Sequence, residues 1–429
     1  MKKETTTILL AFLVSLILTS CHDEEDKTPS TNRTVVIYMS GENNLGTGGY
    51  LSKDYDEILE GAKKLPDNVS LLVYIDTKDS NNPPYISLID RTEGAKTVRQ
   101  YESDFYSSDP TNMKEVLQWC YSQYPAKSYG LVLWGHSNGW LFEPDESSST
   151  AKANNRRLLA YGADTGQDHT SDYTPKWMNI TEMADVLASV PHLDFIFSDC
   201  CCMQCAEIAY ELRNVCDYLI GSPAEIPGSG APYDYVVPDL FASKDSVGIK
   251  VTDDYIAHGN FGSNSGLPMS VVKTAGMESL AYATQQALST FMPSYQYPTE
   301  IPLDSIIYYL ADKNLSARYP INYDMRNFMR RYLTDADFST WDNVFQQAVV
   351  YSVHPDDIRT TGKNDWMTDT DNANINFTSF YLTDDNYGGM SMFIPQNNYS
   401  QVKAPYTNPN VSIFLTGWSQ IVDWAEWGW

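Results

Sequence analysis

The chain has 429 residues and a formal net charge of −26, with 55 acidic against 29 basic residues. That imbalance argues against nucleic acid as a partner, because affinity for a polyanion rests on clustered basic contacts. A hydrophobic content of 42% and an aromatic content of 13% exclude a disordered chain, and the length suits two or three structural units.

Lys2 and Lys3 precede an apolar run from Ile8 to Leu18, the pattern of an export signal over residues 1–20. At about 11 residues the run is too short for a mature membrane span. It ends in Leu18-Thr19-Ser20-Cys21, which resembles a bacterial lipobox. The resemblance implies cleavage before Cys21 and lipidation of its thiol; the alternative is an ordinary secretory signal with an incidental cysteine. Residues 21–33 then read as a polar tether. Its acidic start, Asp23-Glu24-Glu25-Asp26, resembles the surface-export signal of lipoproteins in Bacteroides-like bacteria. An outer-membrane lipoprotein exposed at the cell surface is the expectation, with the periplasmic face as the alternative.

Strands and helices alternate from residue 34 onward. Thr34–Met39, Val69–Ile75, Tyr129–Trp134, Leu193–Asp199 and Asp217–Ser222 read as strands, and Val69–Ile75 is near-continuously apolar, as in a parallel sheet buried on both faces. Tyr85–Ile89 and Thr97–Tyr101 read as a small antiparallel pair. Helical spacing falls at 50–64, 112–121, 179–190, 247–258 and 276–291, with Asn179 or Thr181 as caps of the third. A strand is expected at Pro268–Thr274. This alternation predicts a doubly wound α/β core. Residues 141–178 are polar and long for a connection, with a short strand expected at Arg157–Tyr161. After residue 295 the pattern shifts to Tyr- and Asp-rich helical segments. Alternating strands follow at Ile375–Leu382 and Gly389–Pro395. The domain reading is 34–295 for the main unit and 296–429 for a smaller C-terminal α+β unit packed on, or extending, the main sheet.

Two strand tips carry reactive groups. Leu193–Asp199 ends in Cys200-Cys201-Cys202, and Met203, Ile208, Ala209, Leu212 and Val215 follow at helical spacing. A cysteine at a helix start is expected to have a lowered thiol pKa, because the helix dipole favours the thiolate. The other tip is Gly135-His136-Ser137-Asn138-Gly139-Trp140. A His and a Cys at two tips suggest a nucleophile and its base. Five of the six cysteines beyond Cys21 fall between 200 and 216, which argues against a framework of disulfides.

These residues resemble the clostripain family of cysteine peptidases. The residues that carry the match are Tyr38-Met39 with Asn43-Asn44-Leu45, His136 with Gly139-Trp140, and Asp199-Cys200-Cys201-Cys202-Met203 with Glu207 and Tyr210-Glu211-Leu212. The resemblance implies a caspase-like α/β/α sandwich and hydrolysis of protein or peptide substrates. It makes Cys201 the nucleophile and His136 the base, with the amides of Ser137 and Cys201 forming the oxyanion hole. It further implies a preference for Arg or Lys through acidic groups, Asp199 matching one such position. Activation by cutting between His and Cys would fall near Lys152, Arg156 and Arg157; an unprocessed loop is the alternative. Ser137 stands where the family has glycine, and the loop from Ser222 to Asp234 departs from the family pattern.

Three rival readings remain open. Gly135-His136-Ser137-Asn138-Gly139 satisfies the G-x-S-x-G elbow of serine hydrolases, with Ser137 as nucleophile, but no helical period follows it. Cys202-Met203-Gln204-Cys205 with Cys216 could hold a metal, although a second ligand pair is missing and His169 is isolated; the alternative is that the three cysteines pack as small apolar residues. A non-catalytic surface lipoprotein of the same fold is the third. His22, His192, His258 and His354 have no motif around them. No cofactor is expected. Calcium is left open, since Asp365–Asn374 is rich in oxygen ligands without a defined spacing.

Overall fold

Long apolar runs can be buried on both faces only if helices cover the sheet above and below, and that is the arrangement found. The computed structural model describes residues 30–78, 82–141, 161–166, 175–261, 266–309, 321–355, 357–358, 380–401 and 408–429. The first half contains β1 (Thr31–Gly41), α1 (Asn44–Thr47), α2 (Tyr50–Ala62), β2 (Val69–Thr77), β3 (Tyr85–Asp90), β4 (Gly94–Gln100), α3 (Pro110–Gln123) and β5 (Ala126–Trp134). Next come β6 (Tyr161–Asp164), β7 (Lys176–Met178), α4 (Ile180–Leu187), β8 (Leu193–Asp199), α5 (Ala206–Glu211) and β9 (Cys216–Gly221). The chain continues through α6 (Tyr233–Asp239), α7 (Lys244–His258), β10 (Met269–Lys273), α8 (Met277–Leu288), β11 (Tyr323–Asp324), α9 (Met325–Tyr332), α10 (Asp335–Ala348) and β12 (Val349–Val353).

Among the described residues, the central sheet has nine strands in the order β12-β10-β9-β8-β5-β1-β2-β3-β4. The five central strands, from β9 to β2, run parallel, and the pairings on both flanks are antiparallel. Alternation along each strand sorts the side chains. Val35, Ile37 and Met39 of β1 face α2, α6 and α7, while Val36 and Tyr38 face the layer of α3, α4, α5 and α8. The strand order reverses between β1 and β5, so a crevice opens at the carboxyl ends of these strands, where ligands of open α/β sheets bind.

The antiparallel pair expected at 85–101 is present, but it is the edge of the main sheet, because β3 pairs with β2. Helix α4 starts at Asn179, whose side chain and Glu182 form a capping box. The helix expected from Met203 to Val215 is shorter. It begins at Ala206, tightens into a 3₁₀ turn at Leu212–Asn214 and gives way to β9 at Cys216. Residues beyond 296 share the main core. Phe328, Phe345, Trp418 and Trp424 belong to the same buried cluster as the sheet residues Tyr38 and Leu133. The β12 strand extends the sheet itself, and Ser391–Met392 pairs with β11. Of the expected strand Ile375–Leu382, residues 375–379 lie outside the described residues, and Phe380–Tyr381 pairs with Asp357–Ile358.

Arg33 ties the amino end of the sheet together. Its guanidinium donates to Asp194 at 2.6 Å, to Ser128 at 3.0 Å, and to the carbonyls of Leu240 and Ala242 at 3.1 and 2.5 Å. The ion pair is largely buried, so removing one partner strands the other. Arg33→Ala is expected to lower the unfolding free energy by about 3 kcal/mol, measured by denaturant titration. Pairing Arg33→Met with Asp194→Leu should recover much of that loss; additive losses in the double variant would show that the pair is not the cause.

Candidate active site

Register alone brings the two reactive tips together. Met39 of β1 pairs with Trp134 of β5, and Trp134 pairs with Asp199 of β8. The residues that follow, Gly135-His136 and Cys200-Cys201, therefore leave the same edge of the sheet from adjacent strands. His136 and Cys201 line one cleft of about 310 Å³ together with Ser137, Trp177, Asp199, Glu225, Ile226 and Gly230. The loop after β9 supplies Glu225 to Gly228 and Gly230. The two tips also touch: a Cβ on Gly139, which has φ +77°, would lie 3.1 Å from the carbonyl oxygen of Cys202.

The half-buried His136 ring has its Nε2 2.6 Å from Oδ1 of Asn44, and the ring lies 6.5 Å from that of Trp177. Burial pushes the imidazole down to about 4. The Cys201 sulfur accepts from the amide of Ile226 at 3.3 Å. Burial, and then the charge of Glu225, pushes its thiol up to about 12. The thiol is thus raised where the sequence reading expected it lowered. The reason is positional: α5 starts only at Ala206, and Cys202 intervenes in a left-handed turn at φ +57°, so Cys201 gets no help from the helix terminus. Both groups are neutral at pH 7 before substrate arrives.

Asp199 is buried at the cleft floor. Its carboxylate accepts from the amide of Ala231 at 3.0 Å and from the hydroxyls of Tyr233 and Tyr255 at 2.9 and 3.0 Å. Burial raises its pKa despite these donors. Asp54 of α2 is close by, for a Cβ on Gly230 would meet Oδ2 of both aspartates at 2.9 Å. Trp134 Nε1 donates to Asp54 at 2.7 Å, while burial and then the charge of Asp199 push that carboxyl up to about 8. Two buried carboxyls behind a glycine make a floor suited to a cation. Asp54 and Asn44 were not among the candidate residues read from the sequence, although both reach the cleft residues. Asn44 does sit in the Asn43-Asn44-Leu45 signature, but nothing near Asp54 in sequence marks it.

The rival sites fare differently. Ser137 is buried; its hydroxyl donates to Met203 Sδ at 3.0 Å and accepts from the Gly139 amide at 3.1 Å, a packed serine rather than an elbow nucleophile. Cys202 and Cys205 are buried thiols, and Cys216 opens β9 instead of sharing their helix. Among the described residues, possible metal ligands converge at Glu42, Asp76 and Asp164 and not at the cysteines. His192 pairs with Asp217, His258 stacks on Tyr235, and His354 reaches Asp384. Cys21, His22, Lys152, Arg156, Arg157, His169 and Asp365–Asn374 lie outside the described residues.

A model of the clostripain family matches residues 37–429. A secreted C11 cysteine protease from Bacteroides thetaiotaomicron, solved with an irreversible peptide inhibitor, has 27% sequence identity and a TM-score of 0.71 over 92% of this chain and 99% of its own. An inactive zymogen C11 protease from Parabacteroides distasonis has 25% identity and a TM-score of 0.67 over 92% and 98%. Clostripain of Hathewaya histolytica is 25% identical over 246 residues, 50% of this chain. The match spans 43% of that curated relative's length.

A raised thiol sets a pH signature. The thiolate fraction of a group titrating near 12 grows about tenfold per pH unit throughout the neutral range. Alkylation of Cys201 by iodoacetamide in the free protein, followed by mass spectrometry, should climb from pH 6 to 9 without levelling. A plateau already reached by pH 7 would mean an ion pair of thiolate and imidazolium instead.

Proposed function

From the chain's membership of the clostripain family, we propose that it is a cysteine endopeptidase that cuts after Lys or Arg through Cys201 and His136. The observation that carries the reading is the shared cleft: His136 and Cys201 leave adjacent parallel strands and face one cavity floored by Asp199. In this reading the neutral imidazole takes the Cys201 proton as the sulfur attacks the scissile carbonyl, then gives it to the leaving amine. The backbone N–H groups of Ser137 and Cys201 stabilise the oxyanion, a role for which serine serves as well as glycine. A low imidazole pKa keeps the base form available down to about pH 4, and the cost of ionising the thiol falls on the acylation step.

The preference for a cation comes from Asp199 and Asp54. With Asp54 titrating near 8, it holds a proton at neutral pH in the empty cleft. An arriving Lys or Arg side chain favours the ionised form, so the proton leaves as the substrate binds. KM for basic substrates should therefore fall as pH rises toward 8, while KM for uncharged ones stays flat. Cleavage in the loop containing Lys152, Arg156 and Arg157, and attachment to the outer membrane through Cys21, complete the proposed picture. Both rest on sequence alone, and among the described residues no helix is long and apolar enough to cross a membrane.

The purified protein, treated with a peptidyl electrophile bearing Lys or Arg at the cleavage position, should carry the label on Cys201 after digestion and mass spectrometry. His136→Ala should slow labelling by about 100-fold or more. Asp199→Asn should weaken the preference for basic over uncharged reagents by roughly 100-fold. Ser137→Ala should leave labelling within a few-fold, since only its amide is used. Label on Ser137 would revive the serine reading. Silence from basic and uncharged reagents alike, before and after a trypsin nick, would leave a non-catalytic member of the fold.

A further inference from the structure

A neutral imidazole can act as a base through only one of its ring nitrogens, and the proton on the other decides which. His136 has its Nε2 2.6 Å from Oδ1 of Asn44, the first residue of α1. A carboxamide oxygen is an acceptor, so in this pair the ring proton belongs on Nε2 and the lone pair on Nδ1. Burial lowers the imidazole pKa to about 4, which keeps the ring in a neutral form at pH 7. The titratable groups that share its cleft are Cys201, Asp199 and Glu225. Asp199 is already bonded to Ala231, Tyr233 and Tyr255.

Both members of the pair are held from behind by one short strand. The side-chain amide of Asn43 donates to the carbonyls of Ser40 and Ala163 at 2.9 and 2.8 Å, and its Oδ1 accepts from the Leu45 amide at 2.8 Å. Gly162, next to Ala163 in β6, donates its amide to the His136 carbonyl at 2.8 Å. The turn after β1 is also packed without slack, since a Cβ on Gly46 would collide with the carbonyl oxygen of Gly41. Asn44 therefore meets the ring from a fixed backbone, and little further ordering is needed to make the bond.

We propose that Asn44 is a positioning residue that holds the His136 proton on Nε2, so that Nδ1 is the nitrogen that serves Cys201. This rests on the reading of His136 and Cys201 as base and nucleophile. Nδ1 takes the thiol proton as the sulfur bonds to the scissile carbonyl carbon and the carbonyl electron pair moves to oxygen. The ring is then cationic, with Nε2–H still donating to Asn44. The proton on Nδ1 passes to the leaving nitrogen as the C–N bond breaks. A neutral acceptor suits this cycle. It orients the ring, as a carboxylate would, but leaves the resting imidazole uncharged.

The tautomer can be read without activity. In protein labelled with ¹⁵N-histidine, the His136 signals are those lost in His136→Ala. Between pH 6 and 8 they should show a protonated Nε2 and a bare Nδ1. Asn44→Ala should mix the two tautomers and lower kcat on a lysyl or arginyl peptide by about tenfold, with KM within about twofold. Asn44→Asp keeps an acceptor in place and adds a charge that favours the imidazolium. It should keep the proton on Nε2 and move the acid limb of kcat/KM up by about one pH unit or more. A protonated Nδ1 in the parent would overturn the proposal. So would spectra and pH profiles that neither variant changes. If the parent cuts no peptide, the peptidase reading fails by itself, and the tautomer spectra still decide for or against the role of Asn44.

Discussion

Backbone hydrogen bonds hold Met39, Trp134 and Asp199 in one row across the centre of the sheet, with Ser40 beside Asp76 one step further along β1. Everything at the carboxyl edge depends on that register. A slip of one residue in β5 or β8 would turn its apolar set from one helical layer to the other. It would also carry Gly135-His136 or Cys200-Cys201 off the shared edge. The burial of alternate side chains on both faces is what forbids the slip. The site is therefore held in place by the hydrophobic core, and the reactive residues themselves need contribute little to stability.

The same edge concentrates negative charge. Asp54 and Asp199 lie on the side of β8, and Glu42, Asp76 and Asp164 on the side of β1 and β2. Buried carboxyls resist ionisation unless donors or cations compensate them. Asp199 has three donors, two of them tyrosine hydroxyls from α6 and α7. Asp54 has the indole of Trp134, and Asp76 has none. The degree of compensation thus falls from Asp199 to Asp76. The same kind of deficit therefore stands on both flanks, to different degrees. The net charge of −26 extends the same electrostatic problem to the whole molecule.

Much of the sheet was legible because strands buried on both faces leave unbroken apolar runs, and Val69–Ile75 and Leu193–Asp199 fall within β2 and β8. The tips were legible because polar residues end those runs abruptly. What was not legible is long-range. Glu42, Asp76 and Asp164 are separated by tens of residues and meet only through the pairing of β1 with β2 and the return of the chain at β6. Asp54 reads as one more acidic residue on a surface helix, yet α2 turns it inward against Trp134. The thiol was misjudged for a local reason: a helical spacing of apolar residues from Met203 does not say that the helix begins at Ala206. Nor does it reveal the left-handed turn at Cys202 that separates helix from sulfur.

That turn repays its strain in position. A non-glycine residue at φ +57° is disfavoured by about 1 kcal/mol or more, and it persists only where its surroundings fix it. Here the amide of Cys202 donates to the carbonyl of Ala224 at 2.9 Å, and the next-but-one amide, of Gln204, donates to Ser222 at 3.1 Å. Both bonds tie the tip of β8 to the loop after β9, the loop that supplies Ile226 to the Cys201 sulfur and Glu225 to the cleft. On its other side Cys202 meets Gly139, from the tip that bears His136. One strained residue therefore joins the His136 tip, the Cys201 tip and the pocket wall. This fixed geometry holds Cys201 and His136 on one cleft.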